Sequence, residues 1–162
     1  SAFVIIKDYE PIYEEVNIHK NHTNNYAEMY AIYKGTKWCL ENLKDIEDYD
    51  IIIITDSELC QKSLTVWIKG WLKKATSEKL VNSTGAEVKN QELIKSTYIN
   101  ILSLMLHTKV YVCHINSHEP ASKIPAMYEK INKIFPDMSY DEFELIYQGN
   151  NRCDILARES LK

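Results

Sequence analysis

A chain of 162 residues, 45% hydrophobic and 26% charged, has the size and composition of one soluble domain with a real core. Its formal net charge of −4 excludes a generally basic nucleic-acid coat, though a local basic face stays compatible with it. No apolar run approaches the roughly 20 residues of a bilayer-spanning helix. No secretory or transit pattern opens the chain, so an intracellular protein, of cytoplasm or nucleus, is expected. The cysteines at 39, 60, 113 and 153 lie far apart with no C-x-x-C pair. They read as reduced, mostly buried thiols and not as a zinc site or a disulfide frame.

In chain order, residues 2–7 (AFVIIK) and 12–19 (IYEEVNIH) read as strands joined by the tight turn Asp8-Tyr9-Glu10-Pro11. Residues 24–43 read as a helix, because Met29, Ile32, Tyr33, Thr36, Leu40 and Leu43 recur at helical spacing behind a Thr23 or Asn24 cap. A strand at 50–55 precedes a short helix from Ser57 and another around 66–74. A polar loop at 75–87 leads into a helix over about 89–106. Residues 109–115 (KVYVCHI) form a strand and 151–161 (NRCDILARESL) a closing helix. Between them, 119–148 holds one helical patch (AMYEKINKIF) and the segment FELIY, whose type stays open. Hairpin, helix, strand, helices, strand, helix is an α/β order with a mixed sheet.

The stretch IIIITDS (51–57) carries the first chemical signal. Four isoleucines in a row suit a strand buried on both faces, and in such sheets sites collect at the carboxyl ends of strands. Asp56 stands at that place. The bland alternative is that Asp56 or Ser57 merely caps the following helix. Two further acids weigh against it: Glu28, one turn into the first helix, and Asp154, near the start of the last. Three carboxylates meeting at one end of a sheet repel one another and call for a cation, and hard oxygen ligands select Mg²⁺ or Mn²⁺. A pair of such ions is a common device for in-line phosphodiester hydrolysis.

The words TNNYAE (23–28), ITDSELC (54–60), WIKGW (67–71), VKNQEL (88–93), SH (117–118) and GNNRCDILARE (149–159) occur in this order and spacing. On them the chain resembles ribonuclease H of type 1, the bacterial and eukaryotic kind. The resemblance implies an RNase H-like α/β fold with a mixed five-stranded sheet flanked by helices, as a single domain over 1–162. It implies an endonuclease that cuts the RNA strand of RNA/DNA hybrids with two Mg²⁺ or Mn²⁺ ions, leaving a 5′-phosphate and a 3′-hydroxyl. Glu28, Asp56 and Asp154 match metal-binding acids, with Glu28 also sensing a 2′-hydroxyl, and His118 matches a mobile histidine that helps protonate or release the product. Asn24, Asn25 and Asn90 match minor-groove contacts, and Thr23 lies beside a phosphate position. Ser57 and Asn150 join the substrate-binding set. Trp67, Lys69, Trp71, Lys73 and Lys74 match the start of a basic handle, although Trp67 and Trp71 serve equally well as packing for a short helix. Recognition of 2′-hydroxyls across a wide minor groove distinguishes RNA from DNA.

Two departures from the pattern matter. The family's first strand, with Asp-Gly-Ser and the first metal-binding acid, has no counterpart in residues 1–162. Without it, two strand edges would be left unpaired, at roughly 1–3 kcal/mol for each buried orphan group. A preceding segment or another chain is expected to supply it. The second departure is the long stretch 119–148, expected as a surface insertion near the site entrance that offers a surface to a protein partner. Its acids Asp137, Asp141, Glu142 and Glu144 read as a solvated face. The competing readings are a hybrid- or RNA-binding module with a degenerate site, and a DNA nuclease of the same superfold.

Overall fold

The computed structural model describes residues 1–75 and 79–160. Residues 76–78 of the expected loop, and the last residues of the expected closing helix, lie outside the described residues. Strand β1 (Ala2–Lys7) pairs antiparallel with β2 (Glu10–Val16) through a tight turn in which Asp8 and Tyr9 both take positive φ. Helix α1 (Asn24–Asn42) starts at Thr23, whose side chain accepts from the Tyr26 N–H. Strand β3 (Ile51–Thr55) pairs in parallel with β4 (Val110–His114).

Between β3 and β4 the chain makes α2 (Glu58–Lys62), a π-helical turn (Ser63–Trp67), α3 (Ile68–Lys74) and α4 (Gln91–Met105). The two short helices expected from Ser57 and near 66 are thus one continuous helical run with a π turn in its middle. After β4 come α5 (Ile124–Asn132) and α6 (Tyr140–Glu159).

The mixed α/β class holds, but the described strands form two separate two-stranded ladders and not one five-stranded sheet. The alternating isoleucines of β3 face two cores. Ile53 packs with Met29, Ile32, Leu64, Ile68, Ile94 and Ile101 under α1 to α4. Ile52 and Ile54 pack with Ile131, Phe143 and Tyr147 under α5 and α6. Strand β3 is therefore covered on both faces, as its sequence implies.

The stretch 119–148 is not a surface excursion. Phe143 is fully buried and Ile131 nearly so, so this segment supplies the second core layer over β3 and β4. FELIY belongs to α6, which begins at a capping box formed by Ser139 and Glu142. The S-x-x-E signature was present in the sequence, but Gly149 interrupts the apolar pattern and hides the continuity. Gly149 has a packing reason: a Cβ there would lie 2.7 Å from Ile6 Cδ1.

No ladder joins β1 to β3 among the described residues. A cavity of about 400 Å³ lies between them instead, open along both strands, with α1 on one side and α6 on the other. The strand edges facing it have no ladder partner among the described residues, the arrangement expected where a strand is wanting. Its α1 wall is a row of small residues, Ala27, Ala31, Gly35 and Cys39, four apart and so on one helix face. Its α6 wall carries Asn150, Cys153, Asp154 and Ala157. Asp45 and Tyr49, just ahead of β3, bond to Lys7 and Asp8 at the end of β1, so β1 and β3 run in opposite directions.

Candidate active site

Glu28, Asp56 and Asp154 reach the same cavity from three elements: α1, the end of β3 and α6. The local question of which residue caps α2 has a clear outcome. Ser57 is the cap, its hydroxyl accepting from the Cys60 N–H at 3.3 Å, which leaves the Asp56 carboxylate for other work. Burial pushes the Glu28 carboxyl above its ordinary range, and the negative charges of Asp56 and Asp154 push the same way, against the opposing pull of the Ser57 side chain. The acids therefore feel one another across the cavity.

Two of the three are also held by protein partners. Ser117 Oγ donates to Asp56 Oδ2 at 2.9 Å, and His118 Nε2 lies 2.6 Å from Asp154 Oδ2. Ser117 and His118 sit in the turn after β4, where His118 takes a positive φ of 54°. That turn is pinned to α6 by the His118 N–H donating to Asn151 Oδ1 and the Glu119 N–H donating to Tyr147 Oη. Among the described residues no three acidic, histidine or cysteine side chains close around one point as a finished metal cage. The donor chemistry nonetheless fits a hard divalent cation: carboxylate oxygens of like charge, partly buried and mutually repelling.

Of the other expected contact residues, Thr23, Asn24 and Asn150 line the same cavity. Asn25 is exposed beside them. Asn150 is less open than a substrate contact would be, since its Nδ2 is buried, and that atom has no hydrogen-bond partner among the described residues. Trp67, Lys69, Trp71 and Asn90 lie outside the cavity lining. Trp67 is 39% exposed and its ring lies 5.8 Å from that of Trp71, which leans on the core beneath. Asn90 is the left-handed residue preceding α4, with its side chain free of capping duty. Lys69, Lys73 and Lys74 are exposed beside the tryptophans, a local basic face within an acidic chain. Sequence reasoning noted the Ser-His pair for its histidine and missed Ser117, which it could have flagged only by asking what else follows β4 toward Asp56. Cys153 on the cavity wall was missed as well.

An α/β layer with acids gathered where a strand ends defines a nuclease-like class of site. The chain belongs to the RNase H family, whose family model matches residues 2–162. It is similar to a Ribonuclease H and a Ribonuclease HI of two Campylobacter jejuni strains, each 29% identical over 155 residues, spanning 95% of this chain and 73% of the relative. A Ribonuclease H of Neorickettsia sennetsu is 35% identical over 71 residues, 44% of this chain and 41% of that protein. The chain is thereby a ribonuclease H by class. Among the described residues, no helix is long and apolar enough to cross a membrane.

Proposed function

We propose that this chain is the body of an intracellular endonuclease that cuts the RNA strand of RNA/DNA hybrids in the presence of Mg²⁺ or Mn²⁺. The observation that carries the reading is the convergence of Glu28, Asp56 and Asp154 on one cavity end, with Glu28 raised by burial and by its two acidic neighbours. These three residues would hold the divalent ions, which supply charge neutralisation and water activation when bound. Asp56 lies centrally, at the end of the strand between the two cores. Thr23, Asn24 and Asn25, exposed at the start of α1, face a hybrid's minor groove, and the Lys69, Lys73 and Lys74 face takes its phosphates. His118, on an exposed turn and paired with Asp154, is placed to hand a proton to the leaving oxygen.

Completion of the site calls for a further strand in the β1–β3 cavity. Among the described residues, both strand edges facing it lack ladder partners and Asn150 Nδ2 on its wall is an unsatisfied donor, while the small residues of α1 leave room for bulky side chains. A strand there runs antiparallel to β1 and parallel to β3, so its carboxyl end arrives beside Asp56. An acid at that end makes a fourth carboxylate, which holds two cations better than three do. A strand supplied by a preceding segment or by another chain meets these conditions.

The deciding experiment is cleavage of an end-labelled RNA strand paired with DNA, in Mg²⁺, with a strand-supplying segment present. Cutting of the hybrid, with duplex DNA and single-stranded RNA spared, and a loss of at least about 100-fold in Asp56→Asn, is the expected result. Equal cutting of duplex DNA overturns the substrate, and an active Asp56→Asn overturns the site.

A further inference from the structure

We propose that Ser117 is a positioning residue: it orients the Asp56 carboxylate for cation binding. The inference rests on the reading of Asp56 as a cation ligand given above. Asp56 is the first residue past β3, where the ladder to β4 has ended at Thr55 and His114. Its main chain is fixed, since the Ile115 N–H donates to the Thr55 carbonyl at 3.0 Å and His114 Nε2 lies 3.1 Å from the Asp56 carbonyl oxygen. Its side chain has no such restraint from the ladder. A free aspartate at a strand end rotates about both side-chain bonds, and a ligand that must first be ordered binds its cation more weakly.

The Ser117 hydroxyl, 61 residues away in sequence, removes that freedom by donating to Oδ2 at 2.9 Å. A hydroxyl donor to a carboxylate is a charge-assisted bond, and a carboxylate oxygen has lone pairs to spare, so Oδ1 and part of Oδ2 stay open to a cation. The hydroxyl is itself on a stiff support. Ile115, two residues earlier, is bound to β3, while His118 and Glu119 are bound to Asn151 and to the buried Tyr147 of α6. Asn116 Nδ2 donates to Glu119 Oε1 across the turn at 3.1 Å. The same turn carries His118 against Asp154. One short segment thus sets the orientation of one acid from β3 and one from α6, and with them the spacing at which both face a cation. Groups of this kind, bonded to ligands without touching the ion, alter affinity by about 10–100-fold when removed.

The test is calorimetric titration of Mn²⁺ into the metal-stripped wild-type chain and into Ser117→Ala, Ser117→Thr and Asp56→Asn, each with the strand-supplying segment present, alongside thermal unfolding in EDTA. The expected result is Mn²⁺ affinity about 10-fold weaker in Ser117→Ala, near wild type in Ser117→Thr, which keeps the hydroxyl, and lost in Asp56→Asn. Unchanged affinity in Ser117→Ala, with or without a lower unfolding midpoint, overturns the positioning role while leaving Asp56 as a ligand. Undiminished affinity in Asp56→Asn, or no Mn²⁺ binding by the wild type, overturns the ligand reading and this inference with it.

Discussion

Gly149 of α6 lies against Ile6 of β1 so closely that a Cβ on Gly149 would sit 2.7 Å from Ile6 Cδ1. The contact sets how near α6 comes to the first hairpin, and hence the depth of the cavity wall that carries Asn150, Cys153 and Asp154. Because the opposing atom is the far end of a flexible side chain, Gly149→Ala should be close to neutral. Gly149→Val should cost about 1–3 kcal/mol, as overpacking does. Ile6→Ala combined with Gly149→Val should recover part of that loss. A double-mutant cycle by urea denaturation measures the coupling, and strict additivity would show that the two residues do not meet.

Glu28 yields a pH signature in the metal-free chain. Its carboxyl is raised in the folded state by burial and by Asp56 and Asp154. A raised carboxyl favours folding when protonated: that contribution is present below the unfolded value of about 4.3 and is lost as pH rises through the folded value. Glu28→Gln removes the ionised penalty. In EDTA its unfolding midpoint should exceed that of wild type at pH 7, and the two curves should converge near pH 3.5. A variant less stable than wild type at pH 7 would contradict the repulsion among the three acids.

Burial pushes the Cys60 and Cys153 thiols up to about 11, and Cys39 likewise. At pH 8 a thiol with that value is about a thousandth thiolate, against roughly a quarter for a free cysteine. Alkylation by iodoacetamide, followed by mass spectrometry, should be at least about 100-fold slower at these positions than in the urea-unfolded chain. Cys153 lines the β1–β3 cavity, so occupation of that cavity should slow its labelling further while leaving Cys60 unchanged.

An extended peptide of about six residues, alternating bulky apolar side chains, matches the length of β1, which lines the cavity. Added in excess, it should raise the unfolding midpoint of the chain by mass action. Ala31→Trp, which places an indole on the small-residue wall of α1, should abolish that rise. A peptide effect that survives Ala31→Trp would place the binding elsewhere.

Phe143 is fully buried, its ring centroid 5.7 Å from that of Tyr128 and 6.5 Å from that of Tyr147. Phe143→Ala should cost about 3–5 kcal/mol by urea denaturation. A loss below about 1 kcal/mol would mean that the layer formed by α5 and the start of α6 detaches without cost to the rest.

Parts of the fold whose signals are local could be read from neighbouring residues alone. The isoleucine run of β3, the periodic face of α1 and the Thr23 cap are written within a few residues, and so is the position of Asp56 just past a strand buried on both faces. The ordered words from TNNYAE to GNNRCDILARE carried the family, because each combines a local element with the side chain it presents. Only the tertiary structure decided what depends on partners far along the chain. Ser57, not Asp56, caps α2, a choice between two adjacent polar residues that local sequence leaves open. Gly149 lies inside a helix at a point where Ile6, distant in sequence, crowds the place a Cβ would take. Residues between Ile124 and Tyr147 form a core layer because β3 and β4 present a second apolar face that must be covered. Ser117 reaches Asp56 only because β4 docks in parallel beside β3 and carries its following turn to the same edge. Propensity and periodicity act over a few residues, whereas which surfaces meet is set by how helices close over a sheet.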